Sequence, residues 1–220
     1  MKKILLLTLT ITYILIAIPS KLHAYDITVG ATTWYAWMNQ YADDFPTDKM
    51  GAALLYGPAV SVKYDEEFNL TFVFLYGRYD AFDRKDSDLA LNYRWSEFIK
   101  VFAGLKYMGY TDAFIQHNAL GPGFGASITY PITEDIFLLG TLSGLFLFGN
   151  ERFDYIVKEK ESFMEYGLNM TMSFAYYIKD FSTAVSLGGR CQFYRTSYFE
   201  DTLDYNTLCY GVTLTVTYTF

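Results

Sequence analysis

The residues of this chain with the clearest chemical potential are a histidine and a nearby carboxylate. The chain contains two histidines, and His117 lies with Asp112 in the polar residues 111–118, which we predict to be a loop. An imidazole that is oriented by a carboxylate can act as a general base. However, no serine stands beside His117 in the segment FIQHNAL to serve as a nucleophile. The sequence therefore favours a protein that is not an enzyme.

A second set of candidates consists of charged side chains that share one face of alternating apolar and polar stretches. We call this set the polar network, and its predicted members are Lys63, Arg94, Lys100, Lys106, Glu165 and Arg190. The same face carries Asp26, Asn69, Asn92, Asn169 and Gln192. Because charges that are removed from water need partners, we interpret the set as a hydrogen-bonded plug. The alternative is a thin pathway that prefers anions, since the bases outnumber the acids.

Carboxylates form a third group, concentrated in the polar stretches between the alternating ones. They are Asp43, Asp44, Asp48, Asp80, Asp83, Asp86, Asp88, Glu159, Glu161, Glu200, Asp201 and Asp204. Carboxylate oxygens bind divalent cations, but the densest segment, DAFDRKDSD, lacks the spacing and the glycine of a calcium-binding loop. We therefore expect a solvated acidic loop surface, and the sequence predicts neither a metal site nor a cofactor.

The elements that would carry these side chains are β-strands, and the last strand is the clearest. In residues 208–220, LCYGVTLTVTYTF, every even position is apolar or aromatic, and most odd positions are threonine. A helix cannot produce this period of two. The stretch exceeds the usual five or six residues of a soluble strand and is long enough to cross a bilayer when tilted. It is typical of a strand with one face toward lipid and one toward a lumen.

The end of this strand resembles the C-terminal assembly signal of bacterial outer-membrane β-barrel proteins. The residues that carry the resemblance are Leu214, Val216, Tyr218 and the terminal Phe220. In that family the terminal aromatic strand is recognised by the barrel-assembly machinery. The resemblance implies a location in the bacterial outer membrane, with lipid and lipopolysaccharide as surroundings and the assembly machinery as a partner.

Two enzymatic groups within that family provide a test for catalysis. Ten-stranded outer-membrane proteases use paired aspartates and an Asp–His pair at the barrel rim. This chain has adjacent Asp43 and Asp44, but Gln116 precedes His117. Lipid A deacylase barrels carry a His-x-Ser arrangement, whereas here Asn118 and Ala119 follow the histidine. Both departures argue against catalysis.

The rest of the chain shows the same alternation of apolar and polar residues. It predicts an all-β, transmembrane, antiparallel up-and-down barrel of about ten strands, or eight if the fourth and fifth strands are assigned wrongly. Short turns alternate with longer predicted loops at residues 39–49, 80–88, 111–118, 150–161 and 195–205. Pro58, within the second strand, suggests a local bulge. The seventh strand, residues 136–148, is apolar on both faces, so its orientation is left open.

The N-terminal residues 1–24 read as a secretory signal peptide, with Lys2 and Lys3 before an apolar run and Ala24 at the expected cleavage site. Residues 25–220 would then form the barrel domain. Removal of the signal takes three lysines and no acid, so the net charge falls from −7 to −10. An acidic chain disfavours nucleic acid as a partner. The abundant Tyr and Phe, 21 and 19 residues, suit the aromatic girdles of a membrane barrel.

The two cysteines and a glycine series need separate consideration. The alternation places Cys191 outward and Cys209 inward, and cysteines on opposite faces do not bridge without a bulge, so we expect two free thiols. Three alternate glycines, Gly121, Gly123 and Gly125, lack the strand–turn–helix context of a nucleotide site. We expect them to face a tight lumen.

These observations predict an integral, non-enzymatic outer-membrane barrel of a Gram-negative bacterium. Its lumen would be filled by side chains or very narrow, and its surface loops would be acidic. Two alternatives stay open. One is a porin-like narrow channel for small, possibly anionic, solutes, and the other is a hydrolase at the barrel rim.

Overall fold

A computed structural model describes residues 26–42, 45–154, 158–199 and 204–220. The predicted signal peptide, residues 1–24, lies outside the described residues. The strands are β1 (Asp26–Ala42), β2 (Phe45–Lys63), β3 (Phe68–Arg78), β4 (Asp83–Arg94), β5 (Ile99–Thr111), β6 (Ile115–Pro131), β7 (Ile136–Asp154), β8 (Lys158–Ile178), β9 (Thr183–Tyr198) and β10 (Tyr205–Thr219). A 3₁₀ turn, Lys179–Phe181, joins β8 to β9. No helix in the described parts of the chain is long and apolar enough to cross a membrane.

The strands form one closed antiparallel barrel in which each strand pairs with its neighbours in sequence. Pairing of β1 with β10 closes the ring in continuous register, from Thr28 opposite Thr219 to Ala42 opposite Tyr205. Inward threonines tie this seam together, since the hydroxyls of Thr32 and Thr215 lie 2.7 Å apart. The predicted up-and-down barrel is confirmed, with ten strands rather than eight.

The predicted inward and outward faces are also observed. In β10 the even-numbered apolar side chains face outside and the threonines face the lumen. The open orientation of β7 is resolved, because Leu142, Phe146 and Phe148 are exposed on the outside, whereas Leu145 and Leu147 are buried inside. Strand β7 is apolar on both faces because one face forms part of the barrel exterior and the other packs against buried side chains inside the barrel.

The outer surface has the pattern of a membrane belt. Aliphatic side chains are bounded at both ends by outward aromatic contacts, as expected for girdles at two membrane interfaces. One girdle includes Phe68 against Tyr93, Phe98 against Tyr130, and Tyr218 against Phe220. The other includes Tyr35 against Trp37, Trp37 against Tyr210, and Phe146 against Tyr166.

The barrel has two distinct ends. The turn end carries Asp26, Phe220 and four connections of four residues each, at 64–67, 95–98, 132–135 and 179–182. The loop end is the opposite one. A bilayer needs about 9 to 11 residues per tilted strand, whereas β7 and β8 have 19 and 21. The longer strands therefore extend beyond the apolar belt, and they do so at the loop end.

The predicted loops are consequently too long. Within the predicted loops at 80–88, 111–118 and 195–205, residues 83–88 belong to β4, 115–118 to β6 and 195–198 to β9. The predicted loops at 39–49 and 150–161 are likewise shortened by the extension of β1, β2, β7 and β8. The physical reason is that strand pairing continues above the belt, where polar side chains on both faces hide the alternation.

The register does not shift at Pro58, so the predicted bulge is wrong in position, although the β2–β3 ladder is interrupted at Gly57 and Pro58. Pairing between β1 and β2 runs unbroken through Ala31 and Pro58, and the register shifts instead near Met38 and Asn39. Gly51, with a φ of 92°, provides the left-handed conformation that this bulge needs. Met50 is the extra residue on β2, and it lines the lumen at the loop end.

Candidate functional site

The loop-end half of the lumen is filled by large side chains. Trp34, Leu55, Leu147 and Phe163 are fully buried, and they belong to a cluster contributed by strands all around the barrel. The connection from β3 to β4 adds Tyr79 and Phe82, whose rings are stacked 4.8 Å apart over this cluster. These side chains pack together inside the barrel at this level.

A polar arrangement spans the lumen within this core; we call it the crossbar (Arg84, Asp86, Arg190 and Gln192). Strand β4 carries the first two residues and β9 the other two, and these strands lie five steps apart in either direction around the ring. Arg84 binds Asp86 through Nε and Nη2 at 3.1 and 3.2 Å, and its Nη2 also donates to Gln192 Oε1 at 3.1 Å. Hydrogen bonds thus join opposite walls of the barrel.

Further contacts anchor the crossbar to its surroundings. Arg190 lies 3.9 Å from Asp86 and 3.8 Å from Asp88, and its Nε donates to Asn169 at 3.0 Å. Lys106 donates to Asp88 at 2.8 Å. The guanidinium of Arg190 is also 4.5 Å from the ring centre of Trp34, within cation–π range. Each buried charge therefore has opposite charges or aromatic faces beside it.

His117 occupies a separate position nearer the loop end. Its ring is stacked between Tyr110 at 4.1 Å and Phe163 at 4.2 Å. Nε2 lies 3.0 Å from Glu165 Oε1, and Nδ1 lies 3.6 Å from Glu151 Oε1. Only 1% of the histidine is exposed. The side chain is enclosed on two sides by rings and on its two nitrogens by carboxylates.

This histidine lies outside the membrane-spanning part of the barrel, because its outward neighbours Gln116 and Asn118 are polar and exposed. Burial opposes the charged imidazolium, but the two carboxylates outweigh that effect and raise the pKa of His117. Burial likewise opposes ionisation of Glu151, yet its contacts with His117 and Tyr198 keep the pKa of Glu151 below its ordinary value. The geometry therefore favours an imidazolium paired with carboxylates.

Three tyrosines complete the arrangement around Glu151. Tyr110 donates to Glu151 Oε1 at 2.9 Å, and Tyr198 donates to Oε2. The hydroxyl of Tyr205 lies 3.1 Å from that of Tyr110 and 2.9 Å from that of Tyr198. These side chains lie at the base of a cavity of about 390 Å³ at the loop end.

The turn-end half of the lumen is different. Hydroxylated residues such as Thr28, Ser61 and Thr129 line it together with charged side chains, and a cavity of about 400 Å³ opens there. At Gly104 an added Cβ would overlap the carbonyl oxygen of Leu89, so only glycine allows the strands to approach this closely. Lys63 pairs with Asp26 at 3.3 Å, and both side chains are about half exposed. Arg94 and Lys100, which are opposite each other in the β4–β5 register, line the same cavity.

The structure thus separates the predicted polar network into three groups. Lys106 and Arg190 are brought together around Asp88. Glu165 belongs to the His117 group. Lys63, Arg94 and Lys100 line the turn-end cavity.

Sequence reasoning missed Arg84 and Asp86, the two β4 members of the crossbar. It assigned both to a charged loop, although they are 3% and 1% exposed inside the lumen. The carboxylates beside His117 are those of Glu151 and Glu165 rather than that of Asp112, the partner considered from the sequence. Asp112 instead accepts the backbone N–H groups of Phe114 and Ile115, which closes a tight turn. The sequence did contain a usable signal. Arg84, Asp86 and Asp88 alternate along the chain, and their even numbers place them on the same face as Asn92, which was predicted to point inward.

The expectation for the cysteines is confirmed. Cys191 and Cys209 are free thiols; the first lies on the outer face, and the second is fully buried in the lumen. Arg84 Nη1 lies 2.8 Å from Cys209 Sγ, so the thiol is a packing partner of the crossbar. Within the described residues, no group of three or more His, Cys, Asp or Glu side chains is placed to hold a metal ion.

Comparison with known proteins gives a likeness of fold. No protein-family model and no curated protein matches the chain in sequence. The outer membrane protease OmpT from Escherichia coli superposes with a TM-score of 0.63 at 10% identity, covering 92% of this chain and 100% of that one.

Two further structures score lower. The translocator domain of NalP from Neisseria meningitidis gives 0.41 at 10% identity over 91% and 90% of the two chains. Ail from Yersinia pestis gives 0.36 at 12% identity over 86% and 97%. The closed ten-stranded topology and the likeness to OmpT confirm the predicted outer-membrane type of β-barrel as the fold of this chain.

Proposed function

We propose that this outer-membrane β-barrel protein is a non-enzymatic integral membrane protein with a closed lumen. The observation that carries the proposal is the crossbar, because Arg84 on β4 is hydrogen-bonded to Gln192 on the opposite strand β9. An ion crossing the barrel would have to displace this bond and the Asp86 pair beside it. Breaking a buried charge pair leaves an unpaired charge at a cost of several kcal/mol. The loop end, which extends beyond the belt, would then act as a surface for external contacts.

A hydrolase at the rim receives less support. A general base needs access to the proton it removes, but His117 is enclosed by Tyr110 and Phe163, and Glu165 is bound to Nε2. The likeness to the protease OmpT is at 10% identity and concerns the fold. The role that best fits His117 is structural, as the cation between two carboxylates.

The narrow channel has one specific observation in its favour. Cavities of about 400 and 390 Å³ lie at the two ends of the lumen, so the barrier between them is confined to the packed core and its crossbar. A rearrangement of the crossbar would connect the two cavities. This alternative differs from the closed barrel in its electrical behaviour.

Single-channel recording in planar bilayers tests the proposal. The protein is refolded, its barrel is checked by heat-modifiable gel migration, and current is recorded at fixed salt. We expect no steady openings from the wild type. The double variant Arg84→Ala and Asp86→Ala removes one positive and one negative charge, and we expect it to conduct because the Arg84–Gln192 and Arg190–Asp86 contacts between opposite walls are lost. Lys63→Ala, at the turn end, is the matched control and should stay silent. Steady ion-selective openings of the wild type would instead establish the channel.

Assembly of this barrel would follow export through the general secretory route, with residues 1–24 as the signal. We propose that the outward face of β10, formed by Leu214, Val216, Tyr218 and Phe220, binds the barrel-assembly machinery. All four side chains are exposed on the barrel exterior, and lipid with lipopolysaccharide would surround them afterwards. Deletion of Phe220 should abolish the heat-modifiable form in cells, whereas Phe220→Tyr should retain it. Normal assembly of the deletion variant would remove β10 from this role.

A further inference from the structure

The loop-end cavity has the size and lining of a small-molecule site; we call it the cup. Its volume of about 390 Å³ falls within the range of ligand pockets. Aromatic and thioether side chains form much of its wall. They are Met38, Met50, Phe82, Tyr110, Tyr198 and Tyr205. Such walls favour the apolar part of a ligand.

The polar side of the cup is acidic. Glu151, Glu161 and Asp204 line it, and none of its described lining residues is Lys or Arg. Asp204 is engaged by Arg195 at 2.8 Å. Glu151 is 3% exposed and is held in place by the hydroxyls of Tyr110 and Tyr198. Because Glu151 and Glu165 share one imidazolium, that of His117, this group keeps a net negative charge at the base of the cup.

From these two observations we propose that the cup binds a small organic cation, namely a protonated amine attached to an apolar or aromatic body. The ammonium group would lie against the tyrosine faces and near Glu151, because ring quadrupoles and the carboxylate both attract positive charge. The apolar body would contact Met38, Met50 and Phe82. An anion would meet carboxylates, and a bare metal ion would gain little from the aromatic wall.

The cup is closed below by the stacked rings of Tyr110, His117 and Phe163. A ligand is therefore held at the loop end and not passed along the barrel. This inference goes beyond the closed lumen proposed above and does not depend on it, since the cup would bind an amine whether or not the crossbar ever opens.

Isothermal titration calorimetry of the folded chain in nonionic detergent tests the inference. The probe is phenethylamine at pH 7 and low salt, compared with 2-phenylethanol, which has a similar shape and no charge. We expect the amine to bind at least about tenfold more tightly, because only the cation gains the attraction of rings and carboxylate. Added salt should weaken amine binding. Equal affinity for the two probes, or no binding of the amine, would overturn the inference.

Paired variants localise the site. Glu151→Gln keeps the shape and removes the charge, and we expect about a tenfold loss of amine affinity. Tyr205→Leu removes a ring and should also weaken binding, whereas Tyr205→Phe keeps the ring and should bind nearly as the wild type does. Glu97→Gln, which lines the turn-end cavity, is the matched control. If Glu151→Gln does not fold, the two Tyr205 variants decide the question. Unchanged affinity in Tyr205→Leu together with unchanged affinity in any folded Glu151→Gln would place the ligand elsewhere.

Discussion

The two halves of the lumen use the same strands for different purposes. In β1, Thr28 and Gly30 face the turn-end half, whereas Trp34 and Met38 face the loop-end half and are almost completely buried. In β9, Ser186 and Gly188 are replaced farther along by Arg190 and Gln192. Small inward residues leave space for a cavity, and large ones fill the barrel. In the closed barrel that we propose, the size of the inward side chains along each strand would decide where the lumen is blocked.

The ion pairs of the two halves differ in the same way. Asp86 and Arg84 in the crossbar are 1% and 3% exposed, whereas the Lys63–Asp26 pair at the turn end is about half exposed. A buried charge cannot exchange its partner for water, but an exposed charge can. The comparison teaches that charges which look equivalent in sequence have unequal energetic importance.

The largest effect should come from breaking the crossbar. Asp86→Ala leaves the guanidinium of Arg84 and that of Arg190 without their shared carboxylate, and we expect a loss of about 3 to 5 kcal/mol in the free energy of unfolding. Urea unfolding of the refolded barrel, followed by tryptophan fluorescence, measures this change.

Asp86→Asn provides the matched control, because it keeps the shape and one hydrogen-bond acceptor while it removes the charge. Its loss should be smaller than that of the alanine variant. A loss below about 1 kcal/mol in both variants, as for an exposed pair, would mean that the crossbar is no more important than the turn-end pair.

Much of the barrel follows from the sequence. The outward apolar face of β10, the parity of β3 and β8 and the opposite facing of Cys191 and Cys209 all come from the period of two, which lipid on one side makes sharp. Within the belt the exterior accepts only apolar side chains, so the pattern has few exceptions.

The crossbar could not be predicted by the same reasoning. Above the belt the exterior is water, so Lys85 and Ser87 alternate with Arg84 and Asp86 and both faces are polar. The segment then resembles a loop. Two partners of Arg84, Gln192 and Cys209, also lie more than 100 residues away in sequence, and a local pattern carries no information about them. For the same reason His117 was assigned to a loop rather than to an enclosed position.

A smaller effect should come from pH at the His117 group. The folded pKa of His117 is raised above its ordinary value of 6.5, so its stabilising charge pairing is complete below that value and is lost as the pH rises through the folded pKa. The folded pKa of Glu151 is lowered from 4.5, so its contribution is present above 4.5 and is lost as the pH falls through the folded pKa. The stability that His117 and Glu151 contribute should therefore be greatest between pH 4.5 and pH 6.5, the ordinary pKa values of the two groups.

The measurement is the free energy of urea unfolding as a function of pH in the wild type and in His117→Gln. One titrating proton changes stability by at most about 1.4 kcal/mol per pH unit. The decline on the alkaline side should become shallower in the variant, whereas Lys63→Ala should retain it. An identical alkaline decline in His117→Gln would show that another group titrates there.

The smallest effect should come from the turn end. Lys63→Ala removes a cation whose partner Asp26 lies 3.3 Å away but is itself about half exposed, so water can replace the lysine. We expect a change of about 0 to 1 kcal/mol in the free energy of unfolding, further reduced by salt. The same urea titration at low and high salt measures it. A loss as large as that of Asp86→Ala would mean that the turn-end cavity is less hydrated than its small residues imply, and the contrast between the two halves of the lumen would disappear.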